Sequence, residues 1–380
     1  MNSPVNIFTD RRVIPPGGNI HWLVRPLLNP QLKYADPGKG KDPAGREVNK
    51  ALAQYNRTAH TLFRLTDLEH CDVAMVPMDW THIRGGQSWH ATPDKETLRR
   101  VLQFARAAAT ANKPVVVFFC GERSHEPIAL DDAFVFRCAI YRSSKTERDV
   151  SVPQVLLPDI QSEFKDRSYL PHAKAAQATI GFCGFVRPVT LTERLKTVVY
   201  KLYTRAILGF ADVSQFKGLE LRQKCINALQ RSHRVKSNFI LRTKSVYLTK
   251  DSNYKLRNRA RGEFIDTLIG SDYQLCVRGS ANYSHRLWET LCAGRIPIFL
   301  DTDCVLPFEE HVNWSDVLLN CDVRDLDRLP DVIADFHDSC SQEDFMSRQR
   351  RCREVWEKMA TPCGIAVLIQ ERLREIAVRA

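Results

Sequence analysis

The segment from Ser271 to Asp301 restricts the possible folds of this chain more than any other stretch. Tyr273-Gln-Leu-Cys-Val277 reads as a buried strand, followed by a turn containing Gly279, and Ile296-Pro-Ile-Phe-Leu300 reads as a second strand. Between them the spacing predicts a helix from Tyr283 to Ala293, with Leu287, Trp288, Leu291 and Cys292 on its apolar stripe. Ser284 or Asn282 is a suitable N-cap, and Gly294 stands where a helix ends in the left-handed conformation. Strand, helix and strand in that order belong to an α/β sheet.

The same segment points to chemistry. Its turn lies at the carboxyl end of a strand and the amino end of a helix, where backbone N–H groups and the helix dipole favour an anion. Open α/β sheets bind ligands along this edge. Gly279 allows close backbone approach, while Arg278 and Arg286 can give bidentate bonds to phosphate oxygens. Ser280, Tyr283 and Ser284 complete the turn, and Glu289, one helical turn after Arg286, can accept from a ribose or sugar hydroxyl. A solvated Arg–Glu surface pair is the bland alternative. The chain has neither G-x-G-x-x-G nor G-x-x-x-x-G-K-[ST], which weakens the dinucleotide and P-loop classes.

The alternation extends both ways. Asp72 to Pro77 and Val115 to Phe119 are strand candidates around a helix at 95–112, and 134–141 adds another strand. The pattern restarts at Ala178 to Gly184, with helices near 190–208 and 214–230 and further strands at Asn238–Leu241 and Val317–Leu319. The tail is helical from near Leu329, then at 342–359 and 363–379. The first 50 residues are turn-rich and read as a long loop, a solvated surface or a mobile cover. At 380 residues two domains are expected: 1–175, 176–360, and a terminal helix at 361–380.

The motif resembles the donor site of the exostosin-type glycosyltransferases. Val277-Arg278-Gly279, then Ser284-His285-Arg286-Leu287-Trp288-Glu289-Thr290-Leu291, then Ala293-Gly294-Arg295-Ile296-Pro297-Ile298 follow that family's order. Leu306-Pro-Phe-Glu309 and Val312-Asn-Trp-Ser315 continue it. Upstream, Gly184 and Arg187 are similar to the opening of its donor domain, and Asp72 to Trp80 to one of its strands. Val277 stands in place of the usual proline, and Ser280 where an acid is common. The resemblance implies an α/β GT-B architecture: two Rossmann-like domains facing across a cleft, with C-terminal helices, the last crossing back to the first domain. It implies an inverting, metal-independent transferase without a cofactor, in which cationic residues stabilise the departing diphosphate. Donor-binding residues would be Gly184, Arg187, Arg278, Gly279, Ser280, Tyr283, Ser284, Arg286 and Glu289.

A first-domain base would take the acceptor proton, and Asp79 and His82 are the candidates, with Asp10, His21 and Asp131 as rivals. Asp301-Thr-Asp303 imitates a metal-binding D-x-D but reads best as a strand-end turn, with donor-site lining and a metal site as the other readings. Residues 231–261 carry ten Lys or Arg and one acid, with Tyr247 and Tyr254 interspersed. They form a solvated face, a contact for donor phosphates or anionic acceptor, or a nucleic-acid surface. The net charge of +11 favours an anionic partner without choosing among these.

The sequons at Asn56, Asn282 and Asn313 are chance matches, since a glycan on Asn282 would block the proposed site. Twelve cysteines without C-x-x-C spacing, no membrane-length apolar run and no signal-type N-terminus suggest a reducing, cytoplasmic setting with at most peripheral membrane contact. The expected activity is transfer of a sugar from a nucleoside-diphosphate donor such as UDP-sugar to a glycan or other hydroxyl, as in polysaccharide biosynthesis. Nucleic acid is not an expected partner of that enzyme. The alternative is a non-catalytic basic module binding nucleic acid or acidic glycan.

Overall fold

The computed structural model describes residues 3–34, 43–88, 91–154, 159–164, 171–208, 217–244, 246 and 254–379. The chain divides into two compact units: Met1–Pro158 with Val305–Glu309 and Lys358–Ala380, and Asp159–Cys304 with Glu310–Glu357. Each is built on one parallel sheet, so the α/β class holds in both.

In the first unit the order is β1 (Val5–Phe8), α1 (Arg25–Leu28), α2 (Pro43–Leu62), β2 (Phe63–Leu65), β3 (Val73–Asp79), α3 (Trp80–Ile83), α4 (Lys95–Thr110), β4 (Val115–Phe119), β5 (Phe134–Arg137) and β6 (Asp149–Ser151). The sheet runs β2-β1-β3-β4-β5-β6, parallel throughout. β3 and β4 are continuous apolar runs because both of their faces are covered. Pro77 has no N–H to give the ladder, and the β3–β4 register shifts between Met75 and Asp79. Asp94 caps α4 by accepting from the Thr97 N–H at 2.8 Å, and Val101, Phe104 and Ala108 bury its apolar face.

The loop expected over the first 50 residues ends earlier than the turn residues suggest, because α2 already begins at Pro43. Its Ala53, Tyr55 and Ala59 are buried, and the Tyr55 hydroxyl donates to the Leu23 carbonyl at 2.6 Å. The turns at 36–38 lie outside the described residues. The terminal helix, Pro362–Arg379, packs on α2 within this unit, and Gln370 donates to the Leu62 carbonyl at 2.7 Å. β5 ends at Arg137, short of the expected Tyr141, and Arg137 pairs with the buried Asp149 on β6 at 2.5 Å.

The second unit runs β7 (Thr179–Phe185), α5 (Leu191–Leu208), α6 (Lys217–Arg231), β8 (Lys236–Arg242), α7 (Tyr254–Ile269), β9 (Tyr273–Cys276), α8 (His285–Cys292), β10 (Ile296–Asp301), β11 (Leu319–Asp322), α9 (Leu329–Ser339) and α10 (Gln342–Met359). Its sheet order is β11-β10-β9-β7-β8, all parallel. The chain therefore winds one way from β7 to β8 and the other way from β9 to β11, and the switch point falls between β7 and β9. A side chain at Gly181 on β7 would sit 2.1 Å from the buried Gln274 amide on β9, so this crossing needs glycine. The unit begins at Asp159 rather than near 176. Asp159 pairs with Arg353 at 2.9 Å, and the Ile160 N–H lies 3.4 Å from Cys292 Sγ, which fixes this segment to α10 and α8.

Candidate functional site

The β9–α8 loop forms at the sheet edge as the sequence leads one to expect, but several of its side chains serve the loop itself. Arg278 is buried; its guanidinium donates to Ser280 O at 2.8 Å and to Asn282 Oδ1 at 3.2 Å. It is a brace across the turn. The Gly279 N–H donates to Tyr283 O at 3.3 Å, and the Tyr283 ring meets His285 edge-on. Ser284 is the backbone N-cap of α8, yet its hydroxyl donates back to Val277 O at 3.4 Å and leaves the helix amides alone. Ser280 is exposed.

The close approach expected at Gly279 occurs instead at Gly218 of α6. A Cβ on Gly279 would meet nothing within 4 Å, whereas one on Gly218 would sit 2.4 Å from the Gly279 carbonyl oxygen and 2.5 Å from that of Arg278. Arg222, one turn along α6, donates to the same Arg278 carbonyl at 3.2 Å.

Arg286 is placed differently. It projects from the first turn of α8 between two aromatic faces, Phe182 of β7 and Phe264 of α7, each ring centroid 4.9 Å from its guanidinium carbon. Its buried Nη1 has no hydrogen-bond partner among the described residues. Its Nη2 lies 3.4 Å from where a Cβ on Gly184 would be. Burial first, and the charge of Arg286 second, push Arg222 down to about 10. The two cations thus feel each other's charge.

Arg286 opens on a cavity of about 200 Å³ lined by Gly184, Phe185, Arg242, Lys244, Arg261 and Glu289. Glu289 accepts from Arg261 at 2.9 Å, and Arg261 also grips Glu163 at 2.7 and 2.9 Å. Arg242 pairs with Glu263. Drug-sized ligands fill pockets of about 300–1,000 Å³, so this space suits a phosphate or a sugar ring rather than a whole nucleotide sugar.

Of the residues expected at a donor site, the structure therefore gathers Gly184, Arg286 and Glu289 around one cavity. It assigns Arg278, Gly279, Ser280, Tyr283 and Ser284 to the loop behind it. Arg187 does not line the cavity; it is held by Glu193 at 2.5 and 2.8 Å and lies over Phe185. Residues missed individually are Arg222, Arg242, Lys244, Arg261 and the two phenylalanines. The basic run 231–261 held a signal for three of them. The described part of that run lies largely in β8 and α7, where Arg242, Arg259 and Arg261 are ion-paired. Tyr247 and the Tyr254 side chain lie outside the described residues.

In the first unit Asp79 ends β3 and caps α3. One carboxylate oxygen accepts from the Thr81 N–H at 2.8 Å and the other from the Cys120 N–H at 2.9 Å. Burial raises its pKa above the ordinary carboxyl value, against the pull of these bonds. His82 follows on α3 with its side chain exposed. His21 is buried and stacked on Phe118 at 4.1 Å, and burial, with His82 second, lowers its pKa to about 3. Asp10 caps a short turn and pairs with Arg12 at 2.7 Å, while Asp131 is exposed. Asp301 and Asp303 form a strand-end turn: Asp301 accepts from the Cys304 N–H at 3.1 Å, and Asp303 has a left-handed φ of 65°.

No family model matches the chain. It is 30% identical over 128 residues to Exostosin-1 of Drosophila melanogaster, covering 32% of this chain and 16% of that protein. It is 30% identical over 119 residues to a probable glucuronoxylan glucuronosyltransferase of Arabidopsis thaliana, covering 31% of this chain and 25% of that protein. Over 95 residues it is 27% identical to Exostosin-1 of Bos taurus, covering 25% of this chain and 12% of that protein. The chain thus spans a quarter or less of the length of these relatives. A solved glycosyltransferase from Rickettsia africae aligns over 100% of both chains at 10% identity with a TM-score of 0.34. The resemblance to exostosin-type sequences is shown over that part of the chain.

Proposed function

We propose that the second unit binds the diphosphate and sugar of a nucleoside-diphosphate sugar, UDP-linked in the first instance, and that the protein transfers the sugar to a hydroxyl of a glycan or glycoconjugate. One observation carries the reading: Arg286 is held between two phenylalanine rings with a buried Nη1 that lacks an acceptor among the described residues, at the mouth of a cavity where Glu289 waits on the same helix. A partly buried cation with an unmade hydrogen bond is a strong site for a phosphate oxygen. The position, beside the switch point at the carboxyl edge of a parallel sheet, is where such folds take nucleotides. The exostosin-type relatives support glycosyl transfer in general.

In this reading the acceptor oxygen attacks the anomeric carbon as the bond to the diphosphate breaks, and the diphosphate leaves with the electron pair. Arg286, Lys244 and Arg222 stabilise the charge that develops, without a metal, and attack from the opposite face inverts the anomeric centre. Glu289 orients a sugar hydroxyl. Within the first unit, His82 is the better candidate for a general base, since its ring is exposed at its sheet's carboxyl edge while both Asp79 carboxylate oxygens are already occupied. A polysaccharide acceptor and a reducing, cytoplasmic setting belong to the same proposal. The latter is supported by cysteines packed as small apolar groups, such as Cys276 and Cys292.

The basic-module alternative loses ground because, in the described part of its run, Arg242, Arg259 and Arg261 are already ion-paired within strand and helix. The test is a melting-temperature panel of nucleoside diphosphates and their sugars, in EDTA and in Mn²⁺, followed by product analysis with the best donor. Stabilisation by a nucleoside diphosphate in EDTA, lost in Arg286→Ala, is expected. A panel in which none of them shifts the melting temperature would overturn the proposal.

A further inference from the structure

Helix α5 carries a feature that sugar transfer does not use. Leu191, Leu195, Val198, Val199 and Leu202 are between 53% and 83% exposed. At 3.6 residues per turn they fall within one arc of about 100°, an apolar stripe three turns long. A stripe of this kind normally faces a core; this one faces out. Arg194 and Arg205 border one edge of it and Lys196 the other, and all three are exposed. The helix has one acid, Glu193, which lies on the far side and is bound to Arg187 and to Thr190.

We infer that α5 is an in-plane membrane-docking helix for an anionic lipid surface. Apolar side chains enter the boundary between head groups and acyl chains, while long cationic side chains on both edges reach up to lipid phosphates. The pattern of charge selects this occupant. Cations on both flanks with no acid on the exposed face match a sheet of negative head groups, and the net charge of +11 adds long-range attraction. Among the described residues no helix is long and apolar enough to cross a membrane, so α5 lies on the surface and does not span it.

The experiment is flotation of the full chain with vesicles of phosphatidylcholine alone and of phosphatidylcholine mixed with phosphatidylglycerol. Two double variants accompany it: Leu195→Glu with Leu202→Glu, and Arg194→Glu with Arg205→Glu. All four positions are exposed, so the melting temperature should stay that of the parent and report any misfolding. The expected result is flotation with the anionic vesicles, falling at least about tenfold in both variants and with the neutral vesicles. Three results would overturn the proposal: no flotation of the parent, flotation unaffected by either variant, or a dimer without vesicle binding that the leucine variant makes monomeric.

Discussion

Replacing Arg286 with methionine separates binding from stability. Two guanidinium–ring contacts disappear, each worth about 0.5–1 kcal/mol where the cation keeps part of its solvent contact. The thioether restores part of this against the same rings, at about 0.3–1.5 kcal/mol. On the other side, the substitution removes a buried nitrogen without a partner, which costs about 1–3 kcal/mol, and relieves Arg222 of a neighbouring cation. The net change in ligand-free stability is near zero or about 1 kcal/mol favourable, a shift of about 0 to +4 °C for a unit of this size. Binding moves the other way. Loss of charge-assisted bonds to phosphate removes about 1.5–3 kcal/mol, a dissociation constant for UDP weaker by about 10- to 150-fold. Thermal melts without ligand and calorimetric titration with UDP measure the two quantities. A variant that melts several degrees lower yet binds UDP as the parent does would refute the reasoning, since the guanidinium would then be a packing element.

Three further outcomes follow from the same geometry. Gly218→Ala drives a methyl into the Arg278 and Gly279 carbonyls at 2.4–2.5 Å, so it should destabilise by about 1–3 kcal/mol and weaken UDP binding, read by denaturant titration and calorimetry. Glu289→Gln should change stability by under about 1 kcal/mol, because Arg261 retains Glu163; it should weaken a nucleotide sugar about tenfold while leaving UDP alone, as a competition assay would show. His21 has a folded pKa of about 3 against an ordinary 6.5, so the unfolded chain takes up a proton that the folded one refuses. Its contribution is complete above pH 6.5 and is lost as pH falls from there toward 3, at about 1.4 kcal/mol per pH unit. Urea denaturation at several pH values should show that slope removed in His21→Phe.

What could be read from the sequence, and what could not, follows the range of the interactions. The β9–α8–β10 unit was legible because buried strands, a helical stripe and Gly294, with its φ of 59°, are all local signals. Arg286 and Glu289 were legible for the same reason, being three residues apart on one helix. Arg278 looked like a ligand residue because its type and place fit one; that Asn282 and Ser280 would claim its guanidinium depends on the shape of the turn. Arg261 was hidden in a basic run, and its function comes from Glu163, 98 residues earlier in the chain. Helix α2 was overlooked because turn residues run up to its start, although one of its faces is apolar, and α7 because crowding cations blur its stripe.

Arg261 has a consequence for how this site can change over time. It ties Glu163 and Glu289 to one guanidinium, so Glu289 offers a ligand what that cation leaves to it. A lineage altering Glu289 to accept another sugar would also release Arg261 Nη1 at the mouth of the cavity, where it would turn to phosphate while Nε and Nη2 stay on Glu163. Divergence in donor choice is therefore expected to proceed through coordinated exchange at all three positions, and single replacements at Glu289 should persist only where Arg261 has already been neutralised or replaced.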